Sequence, residues 1–341
     1  MATVLANGHS ESVMCCTTTK DGRVISGAEQ GEICLWSPDE QSYTRTVLES
    51  KEDVTSMCCA NRTQHKMFAS AGEEVFEFDL RKLDHPVHRF QVNEDEVNQI
   101  AVNSKDDFLA ACDDSGEIKV IKLQDKSLFK TLRRHDNICA SLCFRSRRPW
   151  DILSVGYDKQ LIQWDFSRAR VLCKIDMDSL GKIASEDDVY VVNPPFIHTM
   201  STSATENHMA CGTDNALVQV FDTSKRTPEF LGTLRGHTQG VSQVHFPKFE
   251  ETCLLSGGND GSCIVWNIED ISQIVSNGHS TSSSSAAADN AAASDLAKHM
   301  KYKINHGEKI NWLTTGQTTN RKFIVIADNR QFLTSYPFPA N

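Results

Sequence analysis

Two groups of four residues share one spacing. His135, Ser154, Asp158 and Trp164 are set apart along the chain as His237, Ser256, Asp260 and Trp266 are. Histidine, serine and aspartate are the side chains of a serine hydrolase, in which the imidazole takes the hydroxyl proton and the carboxylate orients the imidazole. That chemistry needs one such group at a cleft, with donors aimed at the developing oxyanion. A group that recurs with a repeat of the chain is structural instead, so no catalytic residue is expected. The sequence has no P-loop, no GxGxxG after a strand, no HExxH and no credible pair of catalytic carboxylates. It has no CxxC pair either, and no metal site or cofactor is expected.

The elements that position these residues are short strands. From Arg235 to Asn267 the chain reads RGHTQGVSQVHFPKFEETCLLSGGNDGSCIVWN. Apolar and polar residues alternate through Val241, Val244 and Phe246; a second run rises through Leu254 to Ser256; a turn at Asn259-Asp260-Gly261 leads into Ile264-Val265-Trp266. The pattern is three strands and two turns. With Trp266 as a ruler, equivalent positions fall at Trp36, Phe78, Ile121, Trp164, Phe221, Trp266 and Tyr336, at intervals of 42, 43, 43, 57, 45 and 70. The two long intervals each contain an insertion, so seven copies account for nearly the whole chain.

A Gly-His, an Asp in a tight turn and a Trp closing the third strand resemble the WD40 repeat, although Trp266-Asn267 replaces the usual Trp-Asp. The resemblance implies an all-β fold, a seven-bladed WD40 β-propeller. It also implies that the repeated His, Ser, Asp and Trp form a buried hydrogen-bonded network: Asp accepts from His, His bonds Ser, and Ser meets the indole. Blades one, two, three and seven lack a full set, so blades four and six are expected to be the stiffest. Thr3 to Ala6 occupy the place of an outer strand with no blade before it, and are expected to close the ring as the fourth strand of the last blade.

The expected organisation is one domain over 1–341, with blades at about 8–48, 49–92, 93–132, 133–176, 195–235, 236–305 and 306–341 plus 3–7. An acidic insertion occupies 177–194. A Ser/Ala-rich low-complexity loop occupies 269–299, too poor in large apolar residues to offset its ordering entropy. With 39% apolar residues the chain can bury a large core. The twelve cysteines would suit a disulfide framework in a small secreted protein, but MATVLANGHSES is not a signal peptide, so the thiols are expected to be reduced. No apolar run approaches the ~20 residues that span a bilayer. A soluble, intracellular protein of cytoplasm or nucleus is expected, with no membrane partner.

Function is expected in the loops. The alternating order of the strands assigns Glu94, Asp95, Glu96, Asp113, Asp114, Asp187 and Asp188 to an acidic rim suited to a basic peptide tail and repellent to nucleic acid. The opposite rim leans basic and includes Arg81, Arg145, Arg147 and Arg168. Segments such as RRHDNICASLCFRSRRP and INHGEKINWL resemble WD40 members grouped with candidate substrate receptors of cullin-four ubiquitin ligases. That resemblance implies docking on the damaged-DNA-binding adaptor through a Trp-Asp-any-Arg motif at the end of a third strand. Phe78, Asp79 and Arg81 fit it with Phe for Trp; Trp164, Asp165 and Arg168 are a weaker candidate, the Arg lying one residue late. Three readings follow: a ubiquitin-ligase adaptor, a scaffold of another intracellular assembly and, distantly, a propeller enzyme.

Overall fold

The computed structural model describes residues 2–37, 42–180, 194–269, 271 and 299–339. The strands form seven four-stranded antiparallel sheets. Six follow chain order from the inner strand outwards. Blade one is Val13–Thr18, Val24–Ala28, Glu32–Ser37 and Ser42–Val47; blade two is Val54–Cys59, Lys66–Ala71, Glu74–Asp79 and His88–Phe90. Blade three is Val97–Val102, Phe108–Asp113, Glu117–Lys122 and Ser127–Arg133; blade four is Cys139–Phe144, Asp151–Gly156, Gln160–Asp165 and Arg170–Asp176. Blade five is Ile197–Thr202, His208–Thr213, Leu217–Asp222 and Glu229–Arg235; blade six is Val241–His245, Cys253–Gly258, Ser262–Asn267 and Met300–Asn305. Blade seven takes Ile310–Gln317, Lys322–Asp328 and Leu333–Pro337 from the end of the chain and Thr3–Leu5 from its start, with Thr3 opposite Ser335 and Leu5 opposite Leu333. The ring is thus closed by the N-terminal strand. Most of the acidic insertion (181–193) and of the Ser/Ala-rich loop (270 and 272–298) lies outside the described residues.

The order of burial explains the sequence pattern. Second strands such as Val24–Ala28 and Phe108–Asp113 are buried at every residue, because neighbouring blades cover both faces of the sheet. Outer strands such as Ser42–Val47 are mostly exposed and polar. The core is seven apolar clusters, one at each junction between blades. Ile25 and Ile33 meet Met57 and Phe78 between blades one and two, and Leu5 and Trp36 meet Phe323 and Val325 across the closing seam.

A second belt, of polar groups on the inner strands, also links the blades. Thr55 donates to the Val97 carbonyl (2.5 Å); Ser141 and the Leu142 amide donate to Gln99 Oε1 (2.5 and 2.8 Å); the Met200 amide donates to Ser141 Oγ (3.0 Å). Thr199 donates to Gln243 (3.0 Å), Ser242 to the Ile310 carbonyl (2.5 Å), and Asn311 to the Val13 carbonyl (3.1 Å) across the seam. These bonds satisfy polar side chains that would otherwise lie unpaired between packed sheets. The twelve cysteines are all free.

Residues 3–5 give blade seven its outer edge and bury Leu5 in the seam. Deleting residues 1–7 removes both, and is expected to lower the thermal midpoint by roughly 5 °C and promote aggregation through the bared edge. An unchanged midpoint by calorimetry would show that closure does not depend on this strand.

Candidate partner-binding rims

Blade four assembles its four residues into one chain of bonds. Trp164 Nε1 donates to Ser154 Oγ (2.7 Å), Ser154 Oγ lies 2.8 Å from His135 Nε2, and His135 Nδ1 lies 3.0 Å from the Asp158 carboxylate. One neutral tautomer satisfies every member: serine donates to Nε2, and Nδ1–H donates to Asp158. Blade six repeats the geometry, with Trp266 to Ser256 at 2.8 Å, Ser256 to His237 at 2.7 Å and His237 to Asp260 at 3.1 Å. Both serines are fully buried, and each hydroxyl is engaged twice. Neither group can meet a substrate, so the hydrolase-like spacing is a packing device.

The expectation for blade one needs correction. In blade one, Trp36 Nε1 donates to Ser26 Oγ (2.7 Å) and His9 Nε2 lies 2.6 Å from the same oxygen, so the network is complete. Its carboxylate is Glu32, 3.2 Å from His9 Nδ1, which also bonds Ser10 and Arg45. A glutamate opening the third strand replaces the turn aspartate, its longer side chain reaching the same place. In blade seven the serine is absent. His306 instead bridges Tyr336 Oη (2.9 Å) and Asp328 (2.6 Å), and Arg330 forks onto the same carboxylate. Blade three places Asn93 where the histidine would be, bonded to Asp113 at 2.8 Å.

The connections alternate between two rims. On the first, between blades two and three, Glu96 lies in the field of Asp114, Asp53, Glu52 and Asp95; burial raises its pKa first, and these four carboxylates add to the rise. Glu94, Asp95 and Glu96 are exposed. Beside them Glu52, Glu73 and Glu74 line a hollow of about 540 Å³, in which Arg89 and Gln91 hold Glu74. Asp113 does not belong to this surface. It is fully buried, accepting from Asn93, Ser115 Oγ (2.6 Å) and the Glu117 amide (3.0 Å), so it anchors a turn. Asp187 and Asp188 lie outside the described residues.

The opposite rim carries the two candidate docking turns. Phe78 is buried at the end of a third strand, and Asp79 beside it receives Arg81. Arg81 Nε lies 3.0 Å from Oδ1, Nη2 lies 2.5 Å from Oδ2, and the Arg81 amide adds a bond of 3.0 Å. The Arg81 side chain stays 68% exposed, and its bonds hold the Asp79 carboxyl well below its ordinary pKa. Around Asp165 the carboxylate instead takes Ser167 (2.5 Å) and Arg170 (3.2 Å), leaving Arg168 4.0 Å away. The structure therefore pairs Asp79 with Arg81 and does not pair Asp165 closely with Arg168. Arg145, expected on this basic surface, is buried. Its guanidinium donates to the carbonyls of Thr223, Lys225 and Arg226, tying blade four to blade five.

With this geometry in view, comparison with known proteins is specific. The family model "WD domain, G-beta repeat" matches residues 2–37, 84–122 and 228–267. The chain is 26% identical to the WD repeat-containing protein 53 homolog of Dictyostelium discoideum, over 93% of this chain and 89% of that one. The solved WD40 β-propeller domain of Doa1 superposes with a TM-score of 0.74 at 15% identity, over 99% of this chain and 97% of that one. The chain folds as a seven-bladed β-propeller that carries WD40 repeats. It is also 21% identical to the ribosome biogenesis protein YTM1 of Ajellomyces capsulatus, over 76% of this chain and 50% of that one.

WD40 propellers are scaffolds that bind protein partners, and the two rims of this one differ in charge. No group of three or more His, Cys, Asp or Glu that could hold a metal occurs among the described residues, and no helix among them is long and apolar enough to cross a membrane. The Glu32 network escaped a search for a turn aspartate. The signal available was Glu32 itself, a charged residue opening an otherwise apolar strand.

The carboxylates of these networks link stability to acid. Burial raises the Asp328 pKa, but His306 and Arg330 outweigh it and hold the group at about 2; Asp158 and Asp260 are likewise lowered. A carboxyl depressed in the folded state contributes fully above its unfolded pKa of about 4 and loses that contribution as pH falls towards 2. Stability should therefore drop steeply between about pH 4 and pH 2. Asp328→Asn should cost roughly 2 kcal/mol at pH 7 and flatten this acid limb. Urea titrations at stepped pH check both effects.

Proposed function

We propose that the propeller is a non-enzymatic adaptor that presents substrates to a cullin-four RING ubiquitin ligase, docking on the damaged-DNA-binding adaptor through the turn at Phe78, Asp79 and Arg81. The observation that carries this reading is the Asp79–Arg81 fork. It sits at the end of a third strand, where the docking motif belongs, with the guanidinium exposed and oriented by paired bonds. The full-length similarity to a WD repeat-containing protein 53 homolog supports it. Trp164, Asp165 and Arg168 are the weaker alternative, since Arg170 rather than Arg168 closes on the carboxylate.

The acidic rim is the cargo side of the same proposal. Glu94, Asp95 and Glu96, with Asp114 and the hollow beside them, raise the local concentration of a Lys/Arg-rich peptide tail and repel nucleic acid. A second reading, a scaffold of another intracellular assembly, is favoured by Phe78 standing in place of the motif's Trp.

Pull-down with mass spectrometry separates the two. Arg81→Ala should weaken capture of the adaptor about tenfold. Arg81→Lys should do nearly as much, because a lysine cannot reproduce the paired bonds. Reversing Glu94, Asp95 and Glu96 to Lys should spare the adaptor and abolish cargo capture, and wild-type cargo capture should fade as salt rises from ~50 to ~300 mM. If the Arg81 variants retain the adaptor, or wild type never captures it, the scaffold reading replaces the ligase reading.

A further inference from the structure

On the rim that carries Arg81, the inner strands of blades seven and one and the inner strand and following loop of blade six converge on a cavity of about 290 Å³. Its lining includes Thr17, Lys20, His245, Lys248, Thr314 and Thr315, and no carboxylate. Among the described residues the side chains of Thr17, Thr314 and Lys248 make no hydrogen bond or ion pair. The nearby acids are already engaged. Asp21 takes Thr19 and Arg23, Asp106 takes the amides of Asn61, Arg62 and Thr63, and Glu250 faces Lys322.

Among the described residues the Lys248 ammonium therefore has no counter-charge of its own. Burial raises the thiol pKa values of Cys58 and Cys59 on the inner strand of blade two, and Lys248 opposes that rise, so its field reaches across to that strand. His245, 2.9 Å from Thr315 Oγ1, is half-buried; desolvation lowers its pKa to about 4, with Lys248 adding to the fall, so at neutral pH it is an uncharged imidazole.

We propose that this cavity binds the phosphoryl group of a phosphorylated serine or threonine carried by a partner peptide. Lys248, Lys20 (whose ammonium also donates to the Asn61 carbonyl) and hydroxyls from two blades line one small space and suit a ligand with about two negative charges and three acceptor oxygens. A phosphoryl group supplies these, whereas a carboxylate offers one charge and two oxygens. The volume lies just below the range of sites that enclose a drug-sized ligand, and suits a single side chain. Arg81 does not line the cavity, so the inference is independent of the docking proposal.

The test uses the full chain and ³¹P NMR titration with N-acetyl-phosphothreonine N-methylamide, backed by competition with N-acetyl-aspartate N-methylamide. Saturable binding of the phosphothreonine probe is expected, about tenfold weaker in Lys248→Gln and in Lys20→Gln, and unchanged in Arg81→Ala. Both lysines are exposed, so these variants keep the fold, as an unchanged melting curve will show. Thr314→Val should also weaken binding. The proposal is overturned if the probe does not saturate, if Lys248→Gln binds as wild type does, or if the aspartate probe competes equally well. Binding of inorganic phosphate without binding of the phosphothreonine probe overturns it too.

Discussion

Each blade is a sheet whose second strand is buried on both faces, and a lone four-stranded sheet cannot supply that burial. A row of blades would leave two apolar faces and two open edges in water. The ring removes both by returning the last blade to the first. In this chain the return is made by three residues, Thr3–Leu5, pairing with Leu333–Pro337 and packing Leu5 beside Trp36 and Phe323. The seven apolar junctions and the polar belt of the inner strands all presuppose that closure, since each blade is held in place by the two beside it.

The buried networks serve the same end at a smaller scale. Each ties the segment entering a blade to the middle strands of that blade. Three different chemistries do this here: aspartate with serine and tryptophan in blades four and six, glutamate in the aspartate's role in blade one, and aspartate with tyrosine in blade seven. The common requirement is that a buried imidazole have a partner at both nitrogens, and a partner of either shape will do. Buried networks are therefore spread over more blades than the sequence signatures of blades four and six suggest.

Function is left to the connections. Antiparallel order sends successive turns to opposite rims, so a charge bias in alternate loops becomes a difference between two surfaces. Packing then decides which charges are available. Asp113 and Arg145 are drawn inward to satisfy amides and carbonyls, Arg81 is folded onto its own turn but left exposed, and Lys248 is left without a partner among the described residues beside a hydroxyl-lined hollow.

The repeat was legible in the sequence because it rests on local signals that recur: apolar alternation, tight turns, and an aromatic or branched residue near the end of each third strand. Trp36, Phe78, Ile121, Trp164, Phe221 and Trp266 all lie in third strands, and the terminal strand pairing followed from counting. The fourfold sets of blades four and six were legible for the same reason, their spacing being set by the strands and turns between them. The network of blade one was not, because a glutamate in a strand and an aspartate in a turn reach one point in space from different places in the chain. Nor could spacing tell that Asp113 would be enclosed, or that blade one would join blades six and seven, from the other end of the chain, in bringing Thr17, Lys248 and Thr314 around one cavity. Sequence by itself determined the number of blades and the way the ring closes, since those depend on period and pattern. Tertiary structure alone decided which polar groups are consumed in packing and which still face a partner, because that depends on what each side chain meets across the junctions between blades.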